Sequence, residues 1–271
     1  MGQWAPTSVE EIYEVINTST RPLHVETDAG AAFVKLADSE SGPHALACDL
    51  IGTKLAHWLG APTFDLHVLR HGDFSLIDEI KGQRKVRRAE APSLASRKVS
   101  GQTWGGDEEQ LEATENPDVV AALVVLDTWT RNHDRYEPRE PEPHHNHRNV
   151  FFADGDAPGR VQLIAMDFTE CIKCGRSELS KPCFTIERVK DERIFGLFPE
   201  FKRWMTTEGV KALAAKLETF TRNDASEILS TVPREWSMTD ELRGRCAGFL
   251  YERAGFVAPI LEKMIGEACG W

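Results

Sequence analysis

"RNHDRYEPREPEPHHNHRNVFF", residues 131–152, decides how this chain is read. It holds four of the nine histidines, which leaves three readings open. It is a metal-binding patch, an acidic-basic excursion, or a catalytic loop opened by an insertion. Its two ends lie beside a helix and a strand. "NHDR" (132–135) follows "ENPDVVAALVVLDTWTR" (115–131), which has Asn before Pro at its start and a long apolar face, as a buried helix does. "RNVFF" (148–152) leads into a strand. Between them "YEPREPEPHHN" (136–146) carries three prolines and alternating charge, which suits an exposed excursion whose ends stay close together. Its histidines are then solvated, or near an acceptor, rather than metal ligands.

Upstream, "TSVEEIYEVI" (7–16) reads as a short helix opened by a Thr or Ser cap. "PLHVET", the turn "DAG" and "AAFVKL" read as a hairpin. "PHALACDLIGTKLAHWLG" (43–60) is a strong helix ended by Gly60 before Pro62. "FDLHVLRHGDFSLIDEI" (64–80) reads as two strands around "HGD". Residues 1–82 therefore make a small lobe with a mixed β-sheet and one helix. The stretch 81–116, rich in charge, Ser and Gly, reads as weakly structured. The remainder, within 83–271, is a mainly helical lobe. In it "RVQLIAMDF" (160–168) is a short strand, and "TTEGVKALAAKLETF" (206–220) repeats apolar residues at 210, 213, 214 and 217. "TDELRGRCAGFLYERAGFVAPILEKMI" (239–265) is a final helix or pair, broken around Gly255 and Pro259. The fold class is α+β in two lobes.

At 271 residues the chain has ample material for a core. Its net charge of −11 argues against nucleic acid or an anionic membrane as the main partner. The basic run "KGQRKVRR" (81–88) reads as a solvated loop. No stretch approaches the roughly 18 consecutive apolar residues of a membrane span. "MGQWAPT" lacks a signal pattern, and Pro6 stands where a myristoylation motif wants Ser or Thr. A cytoplasmic location is expected. Six cysteines in a chain this long are not a secreted disulfide framework. Cys171, Cys174 and Cys183, with His144, His145 or His147, could complete a zinc tetrad; lacking a second close pair, they read better as reduced thiols.

The chemistry lies in a spaced series of residues. No Walker phosphate loop, dinucleotide-binding glycine motif or G-x-S-x-G elbow is present. Lys35 interrupts the apolar strand "AAFVKLA", where it suits a point charge on nucleotide phosphates or a snorkelling edge residue. Asp49 shares a small-residue helix face with Gly52 and Ala56 and could hold such a lysine. Phosphoryl transfer needs an Asp beside the attacking hydroxyl, an Asn and a second Asp on magnesium, and a Lys on the phosphates. Asp134, Asn149 and Asp167 follow in that order, each at the end of a helix or strand. Oxygen ligands of this kind suit magnesium. Asn149 is preferred to Asn146 as the ligand because only Asn149 abuts the strand.

Taken together, "DRY…RNVFF…IAMDFT", the opening "NTSTRPLHVETDAGAAFVKLADSESG", "ALACDLIGTKLAHWLGAP" and "VPREW" near 232 resemble the HipA-like kinases, relatives of the phosphoinositide kinases within the protein-kinase-like fold. The resemblance spans roughly residues 15–265, and the order of its short motifs carries it. It implies that Lys35 binds the α- and β-phosphates of ATP and that Asp49 holds it. It makes Asp134 the catalytic base, with Asn149 and Asp167 as the Mg2+ ligands. It has Thr18, Ser19 and Thr20 covering the phosphates, and Asp78, Glu79, Ile80 and Lys81 forming the hinge that reads adenine. The chain departs from the pattern in four places. Asp49 is one methylene shorter than the usual Glu, which predicts a looser pair. The phosphate loop has no glycine, Asp134 and Asn149 stand fifteen residues apart rather than about five, and Tyr136 replaces a common histidine. The implied function is ATP- and magnesium-dependent transfer of a γ-phosphate to a hydroxyl, with a protein Ser/Thr as acceptor. A small-molecule or lipid-headgroup acceptor, a nucleotide-binding pseudokinase or scaffold, and a nucleotidyl transferase are the alternatives.

Overall fold

Val9–Val15 forms a strand (β1) rather than the short helix its Thr-Ser start predicts. The structure, a computed structural model, describes residues 4–18, 20–70, 76–80, 83–87, 91–139, 141–173 and 178–271, with only the backbone course of 76–80 and 83–87. The would-be helix caps are spent elsewhere. The Thr7 amide and hydroxyl and the Ser8 amide all donate to the Asp28 carboxylate, at 2.9, 2.6 and 3.2 Å. Val9 and Ile12, spaced three apart as in a helix, both pack on the sheet's own apolar cluster. Register shifts between Val9 and Glu11 and between Ile12 and Glu14 make this possible, since a β-bulge adds a residue to the period of two.

The hairpin read from the sequence is present as β2 (Leu23–Thr27) and β3 (Gly30–Lys35), turned by Gly30 at φ 99. Helix α1 (Gly42–Leu59) follows and ends on Gly60 at φ 92. Next come β4 (Leu66–Leu69), β5 (Leu76–Ile80), β6 (Gln83–Arg87) and β7 (Ser93–Arg97). The main sheet has the order β1-β2-β3-β7-β4, and each of its pairings is antiparallel, so it is not the mixed sheet expected. β5 pairs with β6 in a separate two-stranded sheet, and the two strands read around "HGD" do not pair with each other.

The strand beside Lys35 is β7, which lies beyond residue 82 in the stretch that reads as weakly structured. "SLASR" carries too few large apolar residues to announce a strand. Pairing on both edges buries it: Leu94 packs into the main core and Ala95 into the cluster on the sheet's other face.

β8 (Gly101–Thr103), α2 (Glu108–Glu112) and α3 (Val119–Thr130) follow, and α3 is buried at every position, as its apolar run requires. β9 (Tyr136–Glu137) and β10 (His144–His145) form a minimal hairpin at the insertion. β11 (Val150–Asp154) pairs with β12 (Val161–Ala165) on one side and β8 on the other. The rest is α4 (Ile186–Val189), α5 (Thr207–Glu218), α6 (Arg222–Ser230), α7 (Asp240–Val257) and α8 (Leu261–Cys269). The final break falls at the single turn Ala258–Ile260, which contains Pro259, whereas Gly255 stays inside α7. One core joins α1 and α3 to the C-terminal helices, with the Trp129 indole donating to the Leu250 carbonyl at 2.9 Å. Among the described residues no helix is long and apolar enough to cross a membrane.

Candidate active site

Lys35 ends β3, and its Nζ lies 2.8 Å from Asp49 Oδ2 and 3.7 Å from Asp167 Oδ1. The other oxygen of Asp49 accepts the Phe168 amide at 3.0 Å. One carboxylate on α1 thus ties the end of β3 to the segment after β12. The shorter acid does not loosen the pair, because α1 lies unusually close to that segment. A Cβ on Gly52, one turn after Asp49, would fall 2.2 Å from Phe168 Cβ. Gly52→Ala is therefore expected to destabilise the fold by about 1–3 kcal/mol through overpacking, measured by urea denaturation. An unchanged midpoint would mean that α1 can retreat without cost.

The charges of this cluster support one another. Burial opposes the Lys35 charge, but the carboxylates of Asp167 and Asp49 outweigh it and hold its pKa above the usual lysine range. Burial likewise opposes ionisation of Asp167. The Lys35 charge and the Thr169 hydrogen bonds overcome that and hold Asp167 below the usual carboxylate range. The Thr169 hydroxyl reaches Asp167 Oδ1 at 2.9 Å and its amide at 3.4 Å, which stabilises the left-handed backbone of Asp167 at φ 53.

Asp134 and Asn149, fifteen residues apart, meet directly: Asn149 Nδ2 donates to Asp134 Oδ2 at 2.7 Å. The β9–β10 hairpin absorbs the insertion, and the Asn146 amide returns to the Arg135 carbonyl at 2.9 Å. Asn149 is buried at the end of the single turn His147–Asn149, immediately before β11. Asn146 sits behind it, with its Nδ2 3.1 Å from Asn149 Oδ1. The pairing of Val150 with Ala165 sets Asn149 opposite Met166, next to Asp167.

Arg135 holds these ends together. Fully buried, it donates to the carbonyls of Asn149 and Met166, and through Nε to Asp127 Oδ2 at 2.6 Å. Asn132 Nδ2 donates to the other oxygen of Asp127 at 3.0 Å. The loop 131–135, entered through a left-handed Arg131 at φ 54, is wound over the Asp127 carboxylate. Arg135 stands beside Asp134 in the chain, but its guanidinium turns to Asp127. The available signal was Asp127 itself, an acid in the otherwise apolar run "VVLDTW" that calls for a buried cation.

The expected phosphate loop and hinge fare differently. Leu23 pairs with both Val15 and Val34, so the β1–β2 turn lies at the Lys35 end of the sheet. Thr18 in that turn is exposed and Thr20 is buried, while Ser19 lies outside the described residues. Asp78, Glu79 and Ile80 lie in β5, outside the sheet that carries Lys35, and Lys81 lies outside the described residues. The chain passes from the sheet to the helical part through 98–100, between β7 and β8. The residues expected as the hinge thus lie off the sheet that bears Lys35, whereas 98–100 follows the strand beside it.

The Cys171 thiol donates to the Cys48 carbonyl at 3.0 Å, and burial pushes its pKa well above the usual range. Cys183 is buried against the Glu178 carbonyl, and Cys174 lies outside the described residues. Among the described residues no group of three or more His, Cys, Asp or Glu is arranged to hold a metal ion.

No protein-family model matches this chain, and no curated protein does. Among solved structures, a Helicobacter pylori proinflammatory kinase, CtkA, is similar at a TM-score of 0.58 and 10% identity, over 96% of each chain. At that identity the likeness is one of fold, and this chain has a kinase-like fold: a small antiparallel sheet set against a mainly helical part.

Proposed function

We propose that the chain is a phosphotransferase that uses ATP and magnesium to move a γ-phosphate to a hydroxyl, with a protein Ser or Thr as acceptor. One observation carries the reading. On a kinase-like fold, Lys35 is held between Asp49 and Asp167 while Asp134 sits on Asn149. Lys35, kept charged, would bind the α- and β-phosphates, and Asp49 orients it. Asp134 would position the acceptor hydroxyl and take its proton. Asn149 and Asp167 would hold magnesium. They supply a carbonyl oxygen and an ionised carboxylate, hard oxygen donors of the kind magnesium accepts with waters completing its shell. The bound metal would offset the charge that spreads over the phosphoryl oxygens. The backbone at 98–100, following the strand beside Lys35, takes the adenine-reading place. A HipA-like subtype is part of this proposal and rests on the motif order.

A second reading, a nucleotide-binding module without turnover, draws on the burial of Thr20 and on Asn146 standing against the Asn149 oxygen. Intact-mass analysis after incubation with ATP, magnesium and a generic protein acceptor separates the two. Each phosphoryl group adds about 80 daltons, and a nucleotidyl group would add about 329. The wild type is expected to phosphorylate itself or the acceptor, and Asp167→Ala to lose the signal by about 100-fold or more. Equal signals from both proteins would sink the phosphotransferase reading. ATP binding with no mass added would favour the inactive module.

A further inference from the structure

In its described residues, the insertion 136–146 is docked on the protein rather than a free excursion. Its strands pair Glu137 with His144 and Tyr136 with His145. The Tyr136 carbonyl accepts the Gly196 amide at 2.9 Å, and Glu137 pairs with Arg193 at 3.0 Å. The Tyr136 ring packs on Phe198, and beyond the hairpin's end His147 packs between Phe198 and Trp104. From this frame two side chains reach the site. His144 Nε2 lies 3.1 Å from the Asp134 carbonyl and 3.5 Å from Asp134 Oδ1. Asn146 Nδ2 lies 3.1 Å from Asn149 Oδ1.

We propose that the 136–146 hairpin is a positioning device for Asp134 and Asn149, with His144 and Asn146 as its working residues. The inference rests on the phosphotransferase reading. Asn149 touches Asp134 at Oδ2, and that single contact leaves the carboxylate free to rotate about it. His144 Nε2 donates to the Asp134 carbonyl, which fixes the backbone that carries the carboxylate, and the imidazole stands 3.5 Å from Oδ1, where it limits that rotation. Asn146 selects the orientation of the Asn149 carboxamide. A flip would set two NH2 groups against each other and lose the hydrogen bond to Asp134 as well. A carboxamide oxygen has two lone pairs, so the Asn146 contact aims this one and leaves a lone pair for a cation.

The test compares His144→Ala, His144→Gln and Asn146→Ala with wild type in steady-state phosphorylation, alongside thermal melting. His144→Ala is expected to lose about tenfold or more in kcat with the KM for ATP unchanged, because the imidazole touches the base and not the nucleotide. His144→Gln, which replaces the donor, should recover most of that loss, whereas a purely structural role would show no such split. Asn146→Ala should raise the magnesium needed for half-maximal rate about tenfold, as loss of a residue that orients a metal ligand does. Wild-type kcat in His144→Ala would overturn the proposal. Should the wild type itself show no turnover, the phosphotransferase reading falls, and the hairpin is judged by the Asn149 side-chain NH2 resonances. Asn146→Ala must move them, and unmoved resonances would remove the positioning role too.

Discussion

Asp134→Asn is expected to lower the rate of phosphoryl transfer by about 10²–10⁴-fold while leaving ATP affinity and folding unchanged. The carboxamide has nearly the shape of the carboxylate and keeps one oxygen that can accept from Asn149 Nδ2, now 2.7 Å away. On the proposed reaction, what it loses is the capacity to take the acceptor's proton. Asp134 is linked to the rest of the site through Asn149 and His144, and among the described residues the ion pairs of Lys35 are with Asp49 and Asp167. The loss should therefore fall on the chemical step. Single-turnover transfer, ATP titration and a thermal melt, run on the same preparations, separate these effects. Transfer at the wild-type rate would remove Asp134 from the mechanism, and an equal fall in ATP affinity would reassign it to binding.

Arg135→Leu carries the largest expected effect on stability, about 3–5 kcal/mol. Arg135 and Asp127 are both fully buried and paired at 2.6 Å, so losing the guanidinium strands a carboxylate in the core. The carbonyls of Asn149 and Met166 lose their donor in the same step. These carbonyls flank the two strand ends that present Asn149 and Asp167, so activity should fall further than stability alone explains. Replacing Asp127 together with Arg135 removes the uncompensated charge and should cost clearly less than the sum of the single losses. Urea denaturation of the two single variants and the double variant measures that coupling. Additive costs would show that the pair contributes no mutual energy, contrary to its geometry.

The two sites of largest effect were not equally visible beforehand. Asp134 announces itself because it closes a strongly apolar helix and opens a loop that ends on Asn149. Arg135 does not, since a charged residue beside another charge reads as a solvated ion pair. Its true partner, Asp127, is eight positions back in the chain, within the buried helix. The misread strands follow the same logic. β1 carries helical spacing because two bulges change its period, and its apparent cap is consumed by Asp28 across the hairpin. β7 carries almost no pattern, because a strand paired on both edges can be buried with small residues.

By itself, the sequence determined the elements whose signal is local: the hairpin ending at Lys35, the helix bearing Asp49, the buried helix before Asp134, and the order Lys35, Asp49, Asp134, Asn149, Asp167. Those depend on turn chemistry, helical period and end caps, all written within a few residues. Only the tertiary structure decided which strand stands beside Lys35, where the chain leaves the sheet, and what neutralises Asp127. It also decided that the insertion folds back to place His144 on Asp134 and Asn146 on Asn149. Each of these is a contact between residues distant in the chain or turned out of local register. Burial and charge compensation, rather than local propensity, select such contacts.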